Sequence, residues 1–188
     1  GTFAQAVNAG ARTATGHALV LLNDDCLLGN NILESFDKAG SDTSIVGARL
    51  LYPDGLVQHA GIGFDIDGGP YNLWRLAPAE HPAVMQRRYL PAVTFACAMI
   101  PRTIWDAIGG LDEGYTNSYE DVDFCLRARE LGYTVVYDPA VTAIHHEGQS
   151  EGRNAHVAES WRHYQEVWLA GGRIHQALGC YPFSAVRQ

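Results

Sequence analysis

Positive charge is scarce in this chain, and what there is does not cluster. Of 188 residues, 13 are Lys or Arg against 21 Asp or Glu, a formal net charge of -8. The single basic doublet is Arg87-Arg88. No basic stripe therefore exists to track a phosphate backbone, and nucleic acid is excluded as a partner. Long apolar runs are missing too: none approaches the roughly 20 residues of a membrane span. The opening Gly1-Thr2-Phe3-Ala4-Gln5-Ala6 has neither a charged start nor a long apolar stretch, so no signal peptide is read. Cysteines are few and dispersed. Cys26, Cys97, Cys125 and Cys180 form no C-x-x-C pair. Most lie in or beside apolar or helical patterns, where reduced thiols are expected, and a cytosolic, reducing setting fits. What is present is 47% hydrophobic and 18% charged. That is enough apolar material for a core in one domain, and it excludes disorder as the main state.

Periodicity alternates between strand and helix, which predicts an α/β fold. Residues 3–14 are Ala-rich and helical. Residues 17–22 form a nearly continuous apolar run, the pattern of a strand buried on both faces of a parallel sheet. A short helix is expected over 31–39, capped by Asn30 or Asn31. Strands over 44–51 and 56–64 flank the turn Pro53-Asp54-Gly55 and predict a hairpin. Residues 65–88 read as a long loop, and 92–100 as another central strand. Helices are expected over 103–108 and 120–131, short strands over 134–137 and 141–144, and a C-terminal helix over 156–170.

Four groups of residues are candidates for chemistry. Asn23-Asp24-Asp25 follows an apolar strand at the end where open α/β sheets bind ligands. Its carboxylates suit hard cations such as Mg²⁺ or Mn²⁺, but Asn and Asp are also common turn residues. Glu120-Asp121-x-Asp123 opens a helix. Acids there complement the helix dipole, and one of them can equally serve as a general base. His145-His146-Glu147 follows a strand, where a neutral imidazole is either a metal ligand or structural. His59, in the hairpin segment Gln58-His59-Ala60-Gly61, reads as a packed or hydrogen-bonded strand residue. In the long loop, Tyr71, Trp74 and Arg75 either clamp a ligand or fold onto the sheet.

Taken in order, these segments resemble the family 2 glycosyltransferases. The run from Phe3 to Gly10 is similar to that family's FAxAxNxG helix. Leu21-Leu22-Asn23-Asp24-Asp25 is similar to its Asp-x-Asp position, and Leu51-Tyr52-Pro53-Asp54-Gly55 with Gln58-His59-Ala60-Gly61 to a common hairpin. Gly109-Gly110-Leu111-Asp112-Glu113 resembles its GGFDE segment, and the run from Tyr119 to Arg127 its YEDVDLCLR helix. His145-x-x-Gly148-x-Ser150 resembles its terminal His motif.

The resemblance implies a GT-A-like fold: a mixed, mostly parallel sheet flanked by helices. It also implies inverting transfer of a sugar from a nucleotide-diphosphate sugar to a glycan or lipid-linked acceptor. Carried over by position, Asp25 and His145 would hold a divalent metal, Mn²⁺ or Mg²⁺. Asp121 would be the general base with Glu120 beside it, and Asp24, Asn23 and Trp74 would contact substrate. Asn23 stands where many members have the first Asp. The family's opening strand–helix–strand unit has no match here, so the resemblance implies an N-terminally truncated domain over 1–155 with impaired activity. Residues 156–188 would be a C-terminal helix and tail packing on it. An incomplete sheet would expose an edge and invite a homodimer. The resemblance implies a cytoplasmic protein, or one peripheral at the inner face of the membrane. The competing expectation is a non-catalytic relative that binds carbohydrate or protein, which Asn23 favours and Asp25, Asp121 and His145 oppose.

Overall fold

A computed structural model describes residues 1–147, 156–179 and 181. Helix α1 (Phe3–Thr13) starts at a capping box in which the Thr2 hydroxyl accepts from Gln5 N and the Gln5 side chain accepts from Thr2 N. Strands β1 (Ala18–Leu22) and β2 (Cys26–Leu28) follow, then α2 (Ile32–Ala39). Asn31 occupies the α2 cap position in a left-handed conformation, without a side-chain capping bond. Next come β3 (Ser44–Leu51), β4 (Val57–His59), β5 (Ile62–Phe64), β6 (Pro70–Asn72), β7 (Arg88–Tyr89) and β8 (Cys97–Pro101). Helices α3 (Arg102–Ile108) and α4 (Glu120–Glu130) lead to β9 (Thr134–His145). Helix α5 (Val157–Tyr164) runs on into a π-helical turn over Gln165–Leu169, and α6 (Arg173–Leu178) ends the described part.

The main sheet has the order β1-β8-β3-β9-β2, with β4 paired to β3 and β7 to β9. It is mixed, as expected, but not mostly parallel: among the described residues β3 and β9 are the one pair of neighbouring strands that is parallel. The reason is that a run buried on both faces looks the same in a central antiparallel strand as in a parallel one. Ile45 packs into the larger core beneath α1, α3, α4 and α6, while its neighbour Val46 packs into a smaller core with Phe36 of α2. Strand β1 departs from its expected burial. It lies at the sheet edge with Val20 and Leu22 exposed.

The expected strand over 56–64 is two strands. Gly61 breaks it with φ +101°, a left-handed conformation open to glycine, and a Cβ there would overlap Leu90. Strand β4 pairs with β3, whereas β5 pairs with β6 in a separate ribbon. The long loop thus contains a strand that comes back to the site. Conversely, the two short strands expected over 134–137 and 141–144 are one strand, with a register shift opposite Ala48/Arg49.

Side chains of the C-terminal helices enter the main core. Tyr164, Trp168, Ile174 and Leu178 are buried in the same cluster as Phe124 and Phe95. Trp168 Nε1 donates to Asp123 Oδ1 (2.9 Å), whose other oxygen accepts from Arg127 Nε (2.7 Å). Arg127 also donates to the carbonyls of Ile108 and Gly110. Asn8 of α1 clasps Leu111 in both directions, each bond 2.9 Å. No helix among the described residues is long and apolar enough to cross a membrane.

Candidate functional site

Strand β1 ends at Leu22 and the chain turns at once. Asn23 N donates to Ala96 O (2.8 Å) and Cys26 N to Asn23 O (3.2 Å), which puts Asp24 and Asp25 in a tight turn. The turn feeds β2, where Cys26 stands opposite His145 in an antiparallel ladder. His146 N donates to Asp25 O (3.0 Å). Two segments remote in sequence are in this way held side by side by backbone pairing.

His145 is buried, and its ring orientation is set from behind. Gln58 Nε2 donates to the His145 carbonyl (3.4 Å) and to Glu147 Oε2 (3.3 Å), so Gln58 Oε1 is left to accept from His145 Nδ1 (2.6 Å). A proton on Nδ1 leaves the Nε2 lone pair at the front. Nε2 lies 3.3 Å from Asn23 Nδ2 and 2.9 Å from Asp25 Oδ1. The second contact lacks hydrogen-bond geometry, so Asp25 Oδ1 is buried without a donor. A carboxylate oxygen and an imidazole lone pair converging in this way fit a bound cation. Cys26 Sγ is close enough to join them. Burial and the neighbouring Asp25 carboxylate push its thiol up to about 11, however, and Sγ–H donates to Ala96 O (3.4 Å). In the absence of a metal it stays a thiol, and Asp25, Cys26 and His145 together form the group of possible donors.

The acidic helix start is built differently. Ser118 and Tyr119, just before α4, both have left-handed backbone angles, φ +78° and +71°. The buried Ser160 hydroxyl of α5 holds the loop before them, accepting from Thr116 N (3.2 Å) and Asn117 N (3.1 Å). Asp121 is cradled by Val122 N (2.8 Å to Oδ1), Phe95 N (3.3 Å to Oδ2) and the Thr94 hydroxyl. Burial nonetheless pushes its carboxyl above the usual carboxylate range, and the hydrogen bonds only oppose that. Glu120 beside it is buried.

Both regions line one cavity of about 850 Å³. Asn23, Asp24 and Asp25 contribute to it, as do Glu120 and Asp121, with Tyr71, Asn72 and Thr94 among the remaining lining residues. Asp24 is exposed, and His145 lies behind Asp25. Trp74, expected to contact substrate, is not among the lining residues. Its ring is covered by the Arg88 guanidinium, 4.1 Å from the ring centroid, and Tyr71 is the loop aromatic that reaches the cavity. Asp123 is a core residue, tied to Arg127 and Trp168. Gly148 and Ser150 of the His motif lie outside the described residues. Sequence reasoning missed Gln58, Thr94 and Ser160. Only Gln58 had a signal, its place in the segment Gln58-His59-Ala60-Gly61.

No family model matches the chain. Among curated relatives, the protein y4gI of Sinorhizobium fredii is 35% identical over 168 residues, 85% of this chain and 18% of its own length. The O-antigen biosynthesis protein RfbC of Myxococcus xanthus is 32% identical over 86% of this chain and 14% of its own length. An N-acetylglucosaminyl-diphospho-decaprenol L-rhamnosyltransferase of Mycobacterium tuberculosis is 31% identical over 53% of this chain and 32% of its own length. The chain therefore spans less than a third of each of these relatives. Among solved structures, GalNAc-T7 with UDP, GalNAc and Mn²⁺ superposes with a TM-score of 0.61 at 16% identity, over 94% of this chain and 39% of that one. The mannosyltransferase PcManGT of Pyrobaculum calidifontis, with GDP-Man and Mn²⁺, gives 0.51 at 17% identity, over 81% of this chain and 38% of that one. The chain thus has the fold of two solved GT-A-type glycosyltransferases, and over part of their length it is similar to relatives named for O-antigen biosynthesis and for rhamnosyl transfer.

Proposed function

We propose that the chain carries the metal and acceptor sides of an inverting, metal-dependent glycosyltransferase site. The observation that carries this reading is the convergence of Asp25 Oδ1 and His145 Nε2 at 2.9 Å on the cavity that Asp121 also lines. Asp25 and His145 would hold Mn²⁺ or Mg²⁺. When bound, such an ion neutralises the charge that grows on a nucleoside diphosphate leaving group. Two neighbours in fold were solved with Mn²⁺ and a uridine or guanosine diphosphate compound, which supports a nucleotide-diphosphate sugar as donor. Asn23 and Asp24, at the same turn, bind the donor.

Asp121 takes the proton from the acceptor hydroxyl. The acceptor oxygen forms the new bond to the anomeric carbon, and the diphosphate departs with the electron pair of the old one. A carboxyl already raised by burial is better suited to accept that proton, and its three hydrogen bonds keep it ionised and aimed. Glu120 lies beside the acceptor. The rhamnosyltransferase relative is named for a lipid-diphosphate acceptor. This supports a glycan or lipid-linked acceptor, handled in the cytoplasm or at the inner face of a membrane, in polysaccharide synthesis.

The test is calorimetric titration of the chain with Mn²⁺, alone and with UDP, GDP or dTDP, in wild type and Asp25→Ala. Binding that a nucleotide strengthens and Asp25→Ala abolishes is the expected result. A wild type that binds Mn²⁺ no better than the variant removes the metal-dependent reading.

A further inference from the structure

His59, the last residue of β4, is 1% exposed and does not line the cavity, yet it touches two residues that do. Its Nδ1 lies 2.7 Å from Asn72 Oδ1, and its Nε2 accepts from Thr94 N at 3.3 Å. The second bond requires a lone pair on Nε2, so the proton sits on Nδ1 and is donated to Asn72. The ring is neutral and in one tautomer. Burial pushes its pKa down to about 4, which agrees with that state. An imidazole held this way has no proton to exchange at neutral pH and acts by orientation alone.

Each contact has a consequence in the cavity. Asn72 is exposed on the wall, at the end of the β5–β6 ribbon. With its Oδ1 engaged by His59, its Nδ2 is what it offers to the cavity. Nδ2 donates two protons and accepts none, so it selects an oxygen, such as a sugar hydroxyl. Thr94, on the other side of His59, hydrogen-bonds Asp121 through its hydroxyl, and the next residue, Phe95, donates its N–H to Asp121 Oδ2. A single chain of hydrogen bonds thus runs Asn72–His59–Thr94–Asp121. It joins the separate ribbon to the helix start through a buried side chain of the main sheet.

We propose that His59 is a positioning residue that couples substrate binding to the base: it presents Asn72 Nδ2 to an oxygen of a carbohydrate ligand and fixes the Thr94–Phe95 turn that cradles Asp121. This rests on the reading of Asp121 as the base. A merely structural histidine would hold the ribbon against the sheet and leave both functions untouched when replaced by a residue of similar volume.

The experiment uses the whole chain and two readouts. The first is the carboxyl titration of Asp121 by carbon-detected NMR. The second is binding of methyl glycosides (mannoside, rhamnoside and N-acetylglucosaminide) by saturation-transfer NMR. His59→Leu removes both hydrogen bonds. It is expected to raise the Asp121 titration by about one pH unit, because a carboxylate that loses hydrogen bonds is harder to ionise. It should also weaken glycoside binding at least fivefold. His59→Asn can still donate to Asn72 but falls short of Thr94, so it should shift Asp121 and keep the glycoside. Asn72→Ala should do the reverse. These two variants carry the test if His59→Leu fails to fold. Variants that leave both readouts at wild-type values overturn the proposal, as does a wild type that binds none of the glycosides. Asp25→Ala, assayed in parallel, should lose Mn²⁺ while keeping the glycoside. If Mn²⁺ binding fails but the two readouts still split as described, the metal-dependent reading falls and the coupling stands.

Discussion

The two acidic walls of the cavity are made in opposite ways. At the Asp25 wall the backbone does the positioning. Strand β2 pairs with the end of β9, and Asn23 is pinned to Ala96, so Asp25 and His145 meet as a consequence of sheet register. One side chain, Gln58, adds the ring orientation. At the Asp121 wall the local backbone is left-handed at two consecutive non-glycine residues, a conformation that local preference opposes. Side chains from elsewhere hold what flanks it: Ser160 of α5 the loop just before, and Thr94, with His59 of β4 behind it, Asp121 just after. A wall set by register is hard to perturb with one substitution, whereas a wall set by imported side chains has several separate points of failure. The second arrangement also leaves a carboxylate partly desolvated, which favours proton transfer and costs stability.

The comparison can be broken most sharply at Asp121. Asp121→Asn keeps the shape and the bond from Val122 N to Oδ1, gives up the one from Phe95 N, and accepts no proton. Turnover with a nucleotide-sugar donor should fall by about 10²–10⁴-fold. The same variant should also lose the wild type's fall in melting temperature with rising pH. A carboxyl whose pKa is raised in the folded state binds its proton more tightly there than when unfolded. Wild type therefore loses stability as pH rises through that window, and the amide does not. A melting temperature that falls with pH equally in both proteins would show that burial of Asp121 carries no such cost.

Gln58→Leu tests the other wall. The ring of His145 loses its rear acceptor, and Mn²⁺ affinity should drop by about 10–100-fold in calorimetry with the Asp121 titration unmoved. Ser160→Ala should show the dependence of the strained loop on α5. Thr116 N and Asn117 N lose their acceptor, at a cost of about 2 kcal/mol. For a chain of this size, about 4–8 °C of melting temperature should go with it, while Mn²⁺ affinity stays put. The smallest effect is a slope. His59 has a pKa near 4 when folded, against an ordinary 6.5. Between those values the unfolded chain binds a proton that the folded one does not, so stability falls as pH drops, by at most about 1.4 kcal/mol per pH unit. Urea unfolding from pH 6.5 to 4 should show a shallower slope in His59→Asn than in wild type.

The parts of this architecture that are legible in the sequence are those set by local pattern. Helix α4 follows from Val122, Cys125 and Leu126 at helical spacing, and the acidic turn from the abrupt end of the apolar run at Leu22. The meeting of Asn8 with Leu111 links two segments that each carry a recognisable motif. Strand direction is not legible, because burial on two faces carries no sign of parallel or antiparallel pairing. Strand β2 is invisible: three residues, two of them exposed, give no periodicity, yet that strand brings Asp25 to His145. Ser160 lies on a helix whose visible signal is the aromatic stripe of Trp161, Tyr164 and Trp168. A buried hydroxyl among them reads as filler until the loop it holds is seen. Trp74 illustrates the opposite error. An aromatic in a loop suggests a ligand platform, but its own chain supplies Arg88 as the stacking partner.

The pairing of β2 with β9 also bears on how the chain acquires its site. Residues 26–28 and 143–145 lie more than a hundred positions apart in the chain, and β9 is also the partner of β3 on its other edge. Contacts of such long sequence separation form late and slowly. Partly folded species that already hold β3, β4 and β8 together can therefore have a substantial core and no assembled Asp25–His145 pair. If Asp25 and His145 hold a metal as proposed, its affinity should appear during refolding later than secondary structure, once β2 has closed on β9.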